Sequence, residues 1–306
     1  MVHLLSLEQI SREELTFLVD LALELKREPE RFRDLLRDRW LLMLFQKTST
    51  RTRLSFEMGI RQLGGQAIVM EWDDSNFTIS PIKYEARYVS RHMDLIMARL
   101  KKHQDIQTLA EFSTVPVING CDDKFHPCQA LADLVTVYEM AGTFEGQRMT
   151  YAGIHNNVAN SLAIACARVG MHLTLVTPES NPAADDPALM RTLMATGHVE
   201  RADNLKEAVA QSHFVYTDTW VDMEFFGDDA FKKENEERQK RMAPVQLNKE
   251  TLAGSNAYIL HDMPIHPGFE ITEDLVESPR SRIYTQAENR LYAQQALMLY
   301  LLGVAG

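Results

Sequence analysis

Short continuous apolar runs alternate along this chain with segments of helical periodicity, and this alternation constrains the fold most. The first run, WLLMLF, covers residues 40–45, and similar runs occupy 94–100 and 114–120. A strand buried on both faces has such a run, and parallel strands covered by helices are the usual case. The helical pattern at 130–140 then completes the first series. We therefore predict an α/β fold with helices covering a parallel sheet.

A second α/β series begins after the polar segment 141–148, AGTFEGQR, which is a candidate domain boundary. We predict strands in the segments 148–154, 171–178, 213–220 and 256–264. Ser11 and Glu14 have the spacing of a capping box, which predicts that a helix runs from there to about Lys26. The charged stretch 225–242 reads as a solvated helix or loop, and the end of the chain reads as a terminal helix.

Composition restricts the class of partner. The 306 residues carry a formal net charge of −11, which disfavours nucleic acid and anionic membranes as partners. The three cysteines form no C-x-x-C pair, which suits a reducing compartment. We find neither the pattern of a secretory leader nor an apolar run of about 20 residues, so we expect a cytoplasmic protein. Any bound anion must be held by a local cluster of positive charge.

The segment 45–57, FQKTSTRTRLSFE, has the composition of an anion site. It follows an apolar run and leads into a helical pattern, so its backbone N–H groups should lie at a helix N-terminus, where anions bind well. Its guanidinium and hydroxyl groups match the geometry of a phosphate. A solvated basic loop is the alternative, although such a loop does not need several hydroxyls directly after a buried strand.

The segment 125–136, FHPCQALADLVT, is the second candidate. Pro127 suits the first turn of a helix, which leaves His126 just outside that turn and Gln129 within it. Both side chains could then face a ligand at the positive end of the helix. A single histidine before a helix is also commonly structural, so this segment is specific only in combination with the first.

Taken together, these segments resemble the aspartate/ornithine carbamoyltransferase family, and most closely the ornithine carbamoyltransferases. The resemblance rests on STRTR, then HPCQALAD about 75 residues later, with DLIMARL and VPVING between them. Near the end, AENRLYAQ is similar to the family's AENRLHAQ. The resemblance runs from about residue 5 to 303.

The resemblance implies a binding site for carbamoyl phosphate in the first half of the chain. The family's phosphate-gripping motif falls on Ser49, Thr50, Arg51 and Thr52. By the same correspondence Arg99 holds the carbonyl and phosphate oxygens, and His126 and Gln129 contact the carbamoyl oxygen and amino group. Arg290 lies beside the same site.

The acceptor motifs fit the family less closely. In GIHNNVANS, Asn157 matches the asparagine that contacts ornithine, whereas Ile154 and His155 depart from the pattern. In DTWVDME, Asp218 matches the acid that holds the α-amino group. Asp222 replaces the family's serine before Met223, and Glu224 replaces its glycine. In HDMP, Asp262 replaces cysteine before Met263.

These replacements each introduce a carboxylate into the expected acceptor site. An aspartate near the acceptor's own carboxylate would repel it, so the changes favour a more cationic amine such as putrescine or lysine. In the alternative interpretation, the acids pair with Arg238 or Arg241 or face solvent, and ornithine remains the acceptor. Aspartate is disfavoured as acceptor, because its two carboxylates would meet several acids.

The resemblance also implies the architecture and the reaction. We expect two doubly wound domains, each with a mainly parallel sheet: residues 1–140 with the returning C-terminal helix 286–306, and residues 141–285. The catalytic residues would be Arg51, Arg99, His126, Asp218 and Arg290. The family further implies a homotrimer or a multiple of trimers. The chemistry needs no metal or cofactor, and we expect neither. The group that accepts the amine proton stays open: the phosphate or a nearby acid.

Two other classes compete with this interpretation. A nucleotide-binding oxidoreductase would have the same strand–turn–helix order at GIHNNVANS, but the G-x-G-x-x-G glycines are missing there. A non-catalytic carbamoyl-phosphate-binding relative would keep the phosphate motif and lose the acceptor motif. The retention of Arg99, His126, Gln129 and Asp218 favours an enzyme.

Overall fold

A computed structural model describes residues 2–221 and 232–304 of the chain. It divides into two compact units. The first unit contains Met1–Glu139 together with Glu288–Gly306, and the second contains Met140–Ala287.

The first unit is built on a four-stranded parallel sheet in the order β2-β1-β3-β4. Its elements in chain order are α1 (Arg12–Arg27), β1 (Trp40–Phe45), α2 (Thr50–Gln62), β2 (Gln66–Glu71), α3 (Ile82–Val89), β3 (Leu95–Arg99), α4 (His103–Phe112), β4 (Val117–Cys121) and α5 (Pro127–Ala141). The strand order reverses beside β1, because β2 and β3 lie on opposite sides of it. Ligands commonly bind outside the carboxyl ends of strands at such a reversal.

The local signals of the first unit act as the sequence predicts. Ser11 caps α1 by accepting the backbone N–H of Glu14, and the Glu14 side chain accepts the N–H of Ser11 in return. The interior strands β1 and β3 are apolar because helices cover both faces of the sheet: Leu42, Ile96 and their neighbours are fully buried.

The second unit is built on a five-stranded parallel sheet in the order β7-β6-β5-β8-β9. Its elements are β5 (Arg148–His155), α6 (Asn157–Val169), β6 (His172–Ser180), α7 (Pro187–Met194), β7 (Val199–Arg201), α8 (Leu205–Ala210), β8 (Phe214–Thr217), α9 (Lys232–Met242), β9 (Tyr258–His261) and α10 (Glu273–Val276). The strand order reverses between β5 and β8. The last helix, α11 (Ile283–Leu301), begins in this unit, and its residues from Glu288 onward belong to the first unit.

The predicted α/β class with two parallel sheets is confirmed. Several predicted strands are shorter than expected, and the segment predicted at 256–264 forms a strand only over Tyr258–His261. The segment predicted at 114–120 forms a strand only over Val117–Cys121, and the segment predicted at 213–220 only over Phe214–Thr217. In the last case the remaining residues, Asp218 to Trp220, form the loop that carries a candidate site residue. Part of the charged stretch 225–242 is helical, as α9, and residues 225–231 lie outside the described residues.

Candidate active site

The basic segment after β1 becomes the first turn of α2. Ser49 is the N-cap, and its hydroxyl accepts the backbone N–H of Thr52 at 3.3 Å. Thr50 begins the helix and is exposed, Arg51 is half-buried, and Thr52 is fully buried. The predicted phosphate motif therefore lies at the positive end of a helix, where backbone N–H groups and the helix dipole both favour an anion.

Arg290 of α11 reaches this turn from the far end of the chain. Its guanidinium donates to Thr52 Oγ1 at 2.9 Å and to Gln129 Oε1 at 3.0 Å. Gln129 in turn donates from Nε2 to Asp133 Oδ1 at 2.8 Å on α5. These four side chains are at most 2% exposed. The network fixes a guanidinium between the ends of two helices at the carboxyl edge of the sheet.

His126 lies among three guanidinium groups. It is 3% exposed, and its pKa is held well below the usual 6.5 by burial and by the positive charges of Arg290, Arg99 and Arg51. Each cause disfavours the imidazolium form, so the ring is neutral at neutral pH. A neutral imidazole can donate one hydrogen bond to a ligand oxygen without adding another charge.

Arg99 ends β3 and is 8% exposed. Its Nε is buried with no hydrogen-bond partner among the described residues. A buried guanidinium N–H without an acceptor is costly, and an anionic ligand would satisfy it. The site residues predicted in the first unit thus lie together at one edge of its sheet.

Sequence reasoning missed the residue that shapes the loop before His126. Asp122 is 4% exposed, and its Oδ1 accepts the backbone N–H groups of Lys124 and Phe125 at 2.8 and 2.7 Å. Its Oδ2 accepts from Asn119 Nδ2 at 2.8 Å. An aspartate three residues before an aromatic residue, directly after a strand, is the available sequence signal for such a turn.

The second unit gathers polar side chains at its own strand reversal. Asn156 follows β5, Asp218 follows β8, and Asp262 follows β9. Asn156 caps α6 with its Oδ1 and donates from Nδ2 to Asp218 Oδ2 at 2.8 Å. The backbone N–H of Thr219 donates to the other oxygen, Asp218 Oδ1, at 2.7 Å. Residues of two loops, after β5 and after β8, therefore fix the orientation of the Asp218 carboxylate.

The electrostatic environment of Asp218 disfavours its ionised form. Burial, followed by the negative charge of Asp262, raises the pKa of Asp218 from 3.8 to about 7. The interaction with His261 and the hydrogen bonds from Asn156 and Thr219 act in the opposite direction but only partly offset these effects. Burial and the same two carboxylates also raise the pKa of Tyr151 well above 10. Such a pocket favours a cationic ligand.

Within the described ranges, the other predicted acceptor residues do not share the hydrogen bonds of Asp218 given above. Asn157 is half-buried at the start of α6, and its own Oδ1 accepts the N–H of Val158 at 3.1 Å. Its neighbour Asn156, which the sequence did not single out, is the asparagine that contacts Asp218. Met263 is half-buried beside Asp262. The predicted residues Asp222 and Met223, with Glu224, lie outside the described residues.

Arg238 and Arg241 were considered as partners for the carboxylates of the acceptor motifs, but both are paired with another acid. Arg238 and Arg241 both form ion pairs with Glu179 at the end of β6. Among the described residues we find no group of three or more histidine, cysteine or acidic side chains that could hold a metal ion. No helix in the described ranges is long and apolar enough to cross a membrane.

Comparison with known proteins connects the two clusters to one family. Residues 2–139 match the carbamoyl-phosphate-binding domain of the aspartate/ornithine carbamoyltransferases, and residues 145–301 match the aspartate/ornithine-binding domain. The ornithine carbamoyltransferase of Archaeoglobus fulgidus is 39% identical over 99% of this chain and 98% of its own length. That of Thermococcus kodakarensis is 40% identical, covering 98% of this chain and 96% of its own.

Solved structures point to the same family. Ornithine carbamoyltransferase from Pyrococcus furiosus superimposes with a TM-score of 0.90 at 36% identity, covering 98% of this chain and 97% of that one. The chain belongs to the aspartate/ornithine carbamoyltransferase family. It is thus an enzyme of the carbamoyltransferase class, and the resemblance found in the sequence is confirmed.

Proposed function

We propose that this enzyme transfers the carbamoyl group of carbamoyl phosphate to the side-chain amine of ornithine, releasing citrulline and phosphate. One observation carries the proposal: four basic side chains from separate parts of the chain meet at one helix N-terminus in the first unit. They are Arg51, Arg99, His126 and Arg290. The relatives named ornithine carbamoyltransferase support the acceptor.

The first cluster suits carbamoyl phosphate in charge and shape. We assign the phosphate to Ser49, Thr50, Arg51 and Thr52, because the α2 N-terminus and a guanidinium bind phosphate oxygens in complementary geometry. We assign the carbonyl oxygen to Arg99, His126 and Thr52, and the carbamoyl amino group to Gln129. Arg290 donates to Thr52 of α2 and to Gln129 of α5, so it connects the groups assigned to the carbonyl oxygen and to the amino group.

The chemistry then needs only positioning and electrostatics. A neutral amine attacks the carbonyl carbon, and the oxygen of the tetrahedral intermediate becomes an oxyanion. Arg99, His126 and Thr52 stabilise that charge, an effect of about 3 kcal/mol for one such donor. When the carbon–oxygen bond to phosphate breaks, Arg51 and Ser49 stabilise the charge on the departing phosphate.

The second cluster supplies the acceptor contacts. In the proposal, ionised Asp218 holds the α-ammonium group of ornithine, since its oxygens are oriented by Asn156 and Thr219. Asn157, Asp262 and Met263 line the same edge, and Asp222 and Met223 are assigned to it from the family motif alone.

A second acceptor class has one specific observation in its favour. Asp262 stands where the ornithine enzymes have cysteine, and its charge acts on Asp218. Two neighbouring carboxylates would bind a diamine such as putrescine, or a longer basic amino acid such as lysine, more strongly than they bind a monocation.

The remaining proposals follow from family membership and charge. We propose that the first unit is the carbamoyl-phosphate domain and the second the acceptor domain. We further propose that the enzyme works in the cytoplasm as a homotrimer or a multiple of trimers, without a metal or other cofactor. The net charge of −11 argues against nucleic acid and anionic membranes as partners.

A turnover assay tests the proposed function. Purified enzyme is incubated with carbamoyl phosphate and, separately, with L-ornithine, putrescine, L-lysine, N-acetylornithine and L-aspartate, and the carbamoylated product is identified by mass. We expect citrulline from L-ornithine, with a kcat/KM in the ordinary enzymatic range of at least about 10⁴ M⁻¹s⁻¹.

The outcomes separate the two candidates. Product from putrescine or lysine at a kcat/KM well above that of ornithine would replace ornithine as the acceptor and leave the carbamoyl-phosphate assignment in place. A lack of product with every amine would refute the proposed reaction.

A further inference from the structure

Besides Asp218, the second unit buries a carboxylate that belongs to neither cluster. Glu270 lies between β9 and α10 and is 0% exposed. Its Oε1 accepts the backbone N–H of His266 at 2.5 Å and lies 3.1 Å from Nε2 of His261. The other oxygen, Oε2, is buried without a hydrogen-bond partner among the described residues, so the two contacts of Oε1 define what Glu270 holds in place.

The contact with His261 fixes the loop after β9. The backbone N–H of Met263 can only donate, and it lies 2.7 Å from His261 Nδ1, so Nδ1 is the accepting nitrogen. The ring proton is then on Nε2, where it is donated to Glu270. Met263 has a φ of 64°, a left-handed conformation that a non-glycine residue adopts only with support from its surroundings. Glu270 therefore orients the ring that supports the backbone next to Asp262.

The contact with His266 reaches the loop after β8. His266 Nδ1 lies 2.9 Å from the hydroxyl of Thr219, which is also 2.9 Å from the carbonyl oxygen of Val221. Thr219 is the residue whose N–H donates to Asp218. One carboxylate thus connects the two loops that carry Asp218 and Asp262.

The threonine, histidine and glutamate do not form a nucleophilic triad. In a triad the acid binds the ring nitrogen opposite the one that faces the nucleophile. Here Glu270 Oε2 lies 3.8 Å from Nδ1 of His266, the same nitrogen that faces Thr219. The arrangement is suited to holding loops in place.

We propose that Glu270 is a positioning residue for the acceptor site, and that it sets the relative placement of Asp218 and Asp262 through His266 and His261. This proposal rests on the proposed function only for the identity of the amine whose KM is measured. It predicts that Glu270 controls acceptor binding and leaves carbamoyl-phosphate binding unchanged, because its contacts lie in the second unit.

Three variants separate positioning from general stability. Glu270→Met keeps the length of the side chain but leaves the N–H groups of His261 and His266 without an acceptor. Glu270→Gln keeps an oxygen for both donors. Thr219→Val is nearly isosteric and removes the hydroxyl that contacts His266 and Val221, so it tests the connection if Glu270→Met does not fold. Glu277→Met, at an exposed position near the end of α10, is the matched control.

The measurements are the acceptor KM, kcat, the dissociation constant of carbamoyl phosphate, and hydrogen exchange of the backbone amides of Thr219 and Met263. We expect Glu270→Met to raise the acceptor KM about tenfold or more, since small displacements of binding groups have effects of that order. Thr219→Val should raise it about threefold. Glu270→Gln and the control should stay within about twofold. Carbamoyl-phosphate affinity should not change, and amide exchange should accelerate at Thr219 and Met263 in Glu270→Met.

Two results would overturn the proposal. One is an acceptor KM within twofold of wild type in both Thr219→Val and folded Glu270→Met. The other is an equal loss of affinity for both substrates. If Glu270→Met does not fold, an unchanged acceptor KM in Thr219→Val is sufficient to reject the proposal. If wild-type enzyme forms no citrulline from ornithine, the proposed function fails, and amide exchange still decides whether Glu270 fixes the two loops.

Discussion

The two candidate clusters occupy equivalent places in their units and have opposite charge. Each lies at the carboxyl edge of a parallel sheet, where the strand order reverses. In the first, burial and guanidinium charges lower the pKa of His126. In the second, burial and a neighbouring carboxylate raise the pKa of Asp218 to about 7. The same physical effect, the cost of removing a charge from water, acts on a base in one case and an acid in the other.

The difference shows how each cluster selects a ligand charge. The first has surplus positive charge and a neutral histidine, so an anion improves its electrostatic energy. The second has surplus negative charge, which a cation would relieve. The family resemblance is complete at the site residues of the first cluster and incomplete at those of the second, so in our proposal the first cluster carries the reaction and the second selects the acceptor.

The largest expected effect concerns the first cluster. Arg51→Ala should lower kcat/KM by about 1,000-fold or more, because the guanidinium stabilises charge on the departing phosphate. The melting temperature should stay near the wild-type value, because Arg51 is only half-buried. Steady-state kinetics and thermal unfolding provide the test. Arg53→Ala, at an exposed position on the same turn, is the control and should stay within about twofold. Near-normal activity in Arg51→Ala would exclude the phosphate assignment.

The pH dependence of the two clusters should differ. Below pH 7 Asp218 becomes protonated and loses the charge that holds the acceptor, so kcat/KM for the amine should fall by about tenfold per pH unit. His126 stays neutral at and above pH 6.5 and adds no charge to the first cluster there. A rate profile between about pH 5.5 and 9 tests this, and an acid limb near pH 4 would contradict the environment described for Asp218.

Asp218 also links pH to stability. Its pKa in the folded state exceeds its ordinary value of 3.8, so the folded protein binds this proton more tightly than the unfolded chain does. The contribution of Asp218 to stability is therefore largest at low pH and declines as the pH rises from about 4 to about 7. Asp218→Asn should raise the free energy of unfolding at pH 8 by on the order of 1 kcal/mol, while abolishing acceptor binding.

Removing the charge of Asp262 should make the second cluster less acidic. In Asp262→Asn the pKa of Asp218 should fall, because the Asp262 charge is the largest cause of its rise after burial. The acid limb of the amine profile should then move to lower pH by on the order of one unit. Glu277→Gln, an exposed acid on the same unit, is the control. An unchanged limb would mean that burial alone raises the pKa of Asp218.

The smallest effect concerns the acceptor preference. Asp222→Ser restores the residue of the ornithine enzymes and removes a charge that would repel the carboxylate of ornithine. We expect the kcat/KM ratio of ornithine to putrescine to rise by a few-fold, the size expected of a partly screened charge. Competition between the two amines, with products read by mass, measures the ratio. An unchanged ratio would show that Asp222 does not act on the acceptor.

Much of the fold could be predicted from the sequence because its signals are local. The apolar run at β1, the capping box of Ser11 and Glu14, and Gly170 as the left-handed residue after α6 each act within a few positions. The ends of strands were less predictable. At β8 the apolar and aromatic residues continue into a loop whose conformation depends on Asp218 and on partners from other segments.

The first candidate site was predicted by resemblance, and its geometry was not predictable from spacing. Nothing near Arg290 in the sequence indicates that its guanidinium meets Thr52. Asn156 and Glu270 were missed for a related reason. Their partners are a carboxylate and two histidines on other loops, and side-chain networks of this kind leave no periodic pattern.

The discontinuity of the first unit has a consequence for the order of synthesis. The second unit is inserted between residue 139 and residue 288, so the first unit receives its last helical segment only after the whole second unit has been made. During translation a nascent chain therefore carries Arg51, Arg99 and His126 for some 160 residues before Arg290 follows. A chain terminated before Ile283 would lack the guanidinium that joins Thr52 to Gln129, and its first cluster would stay incomplete.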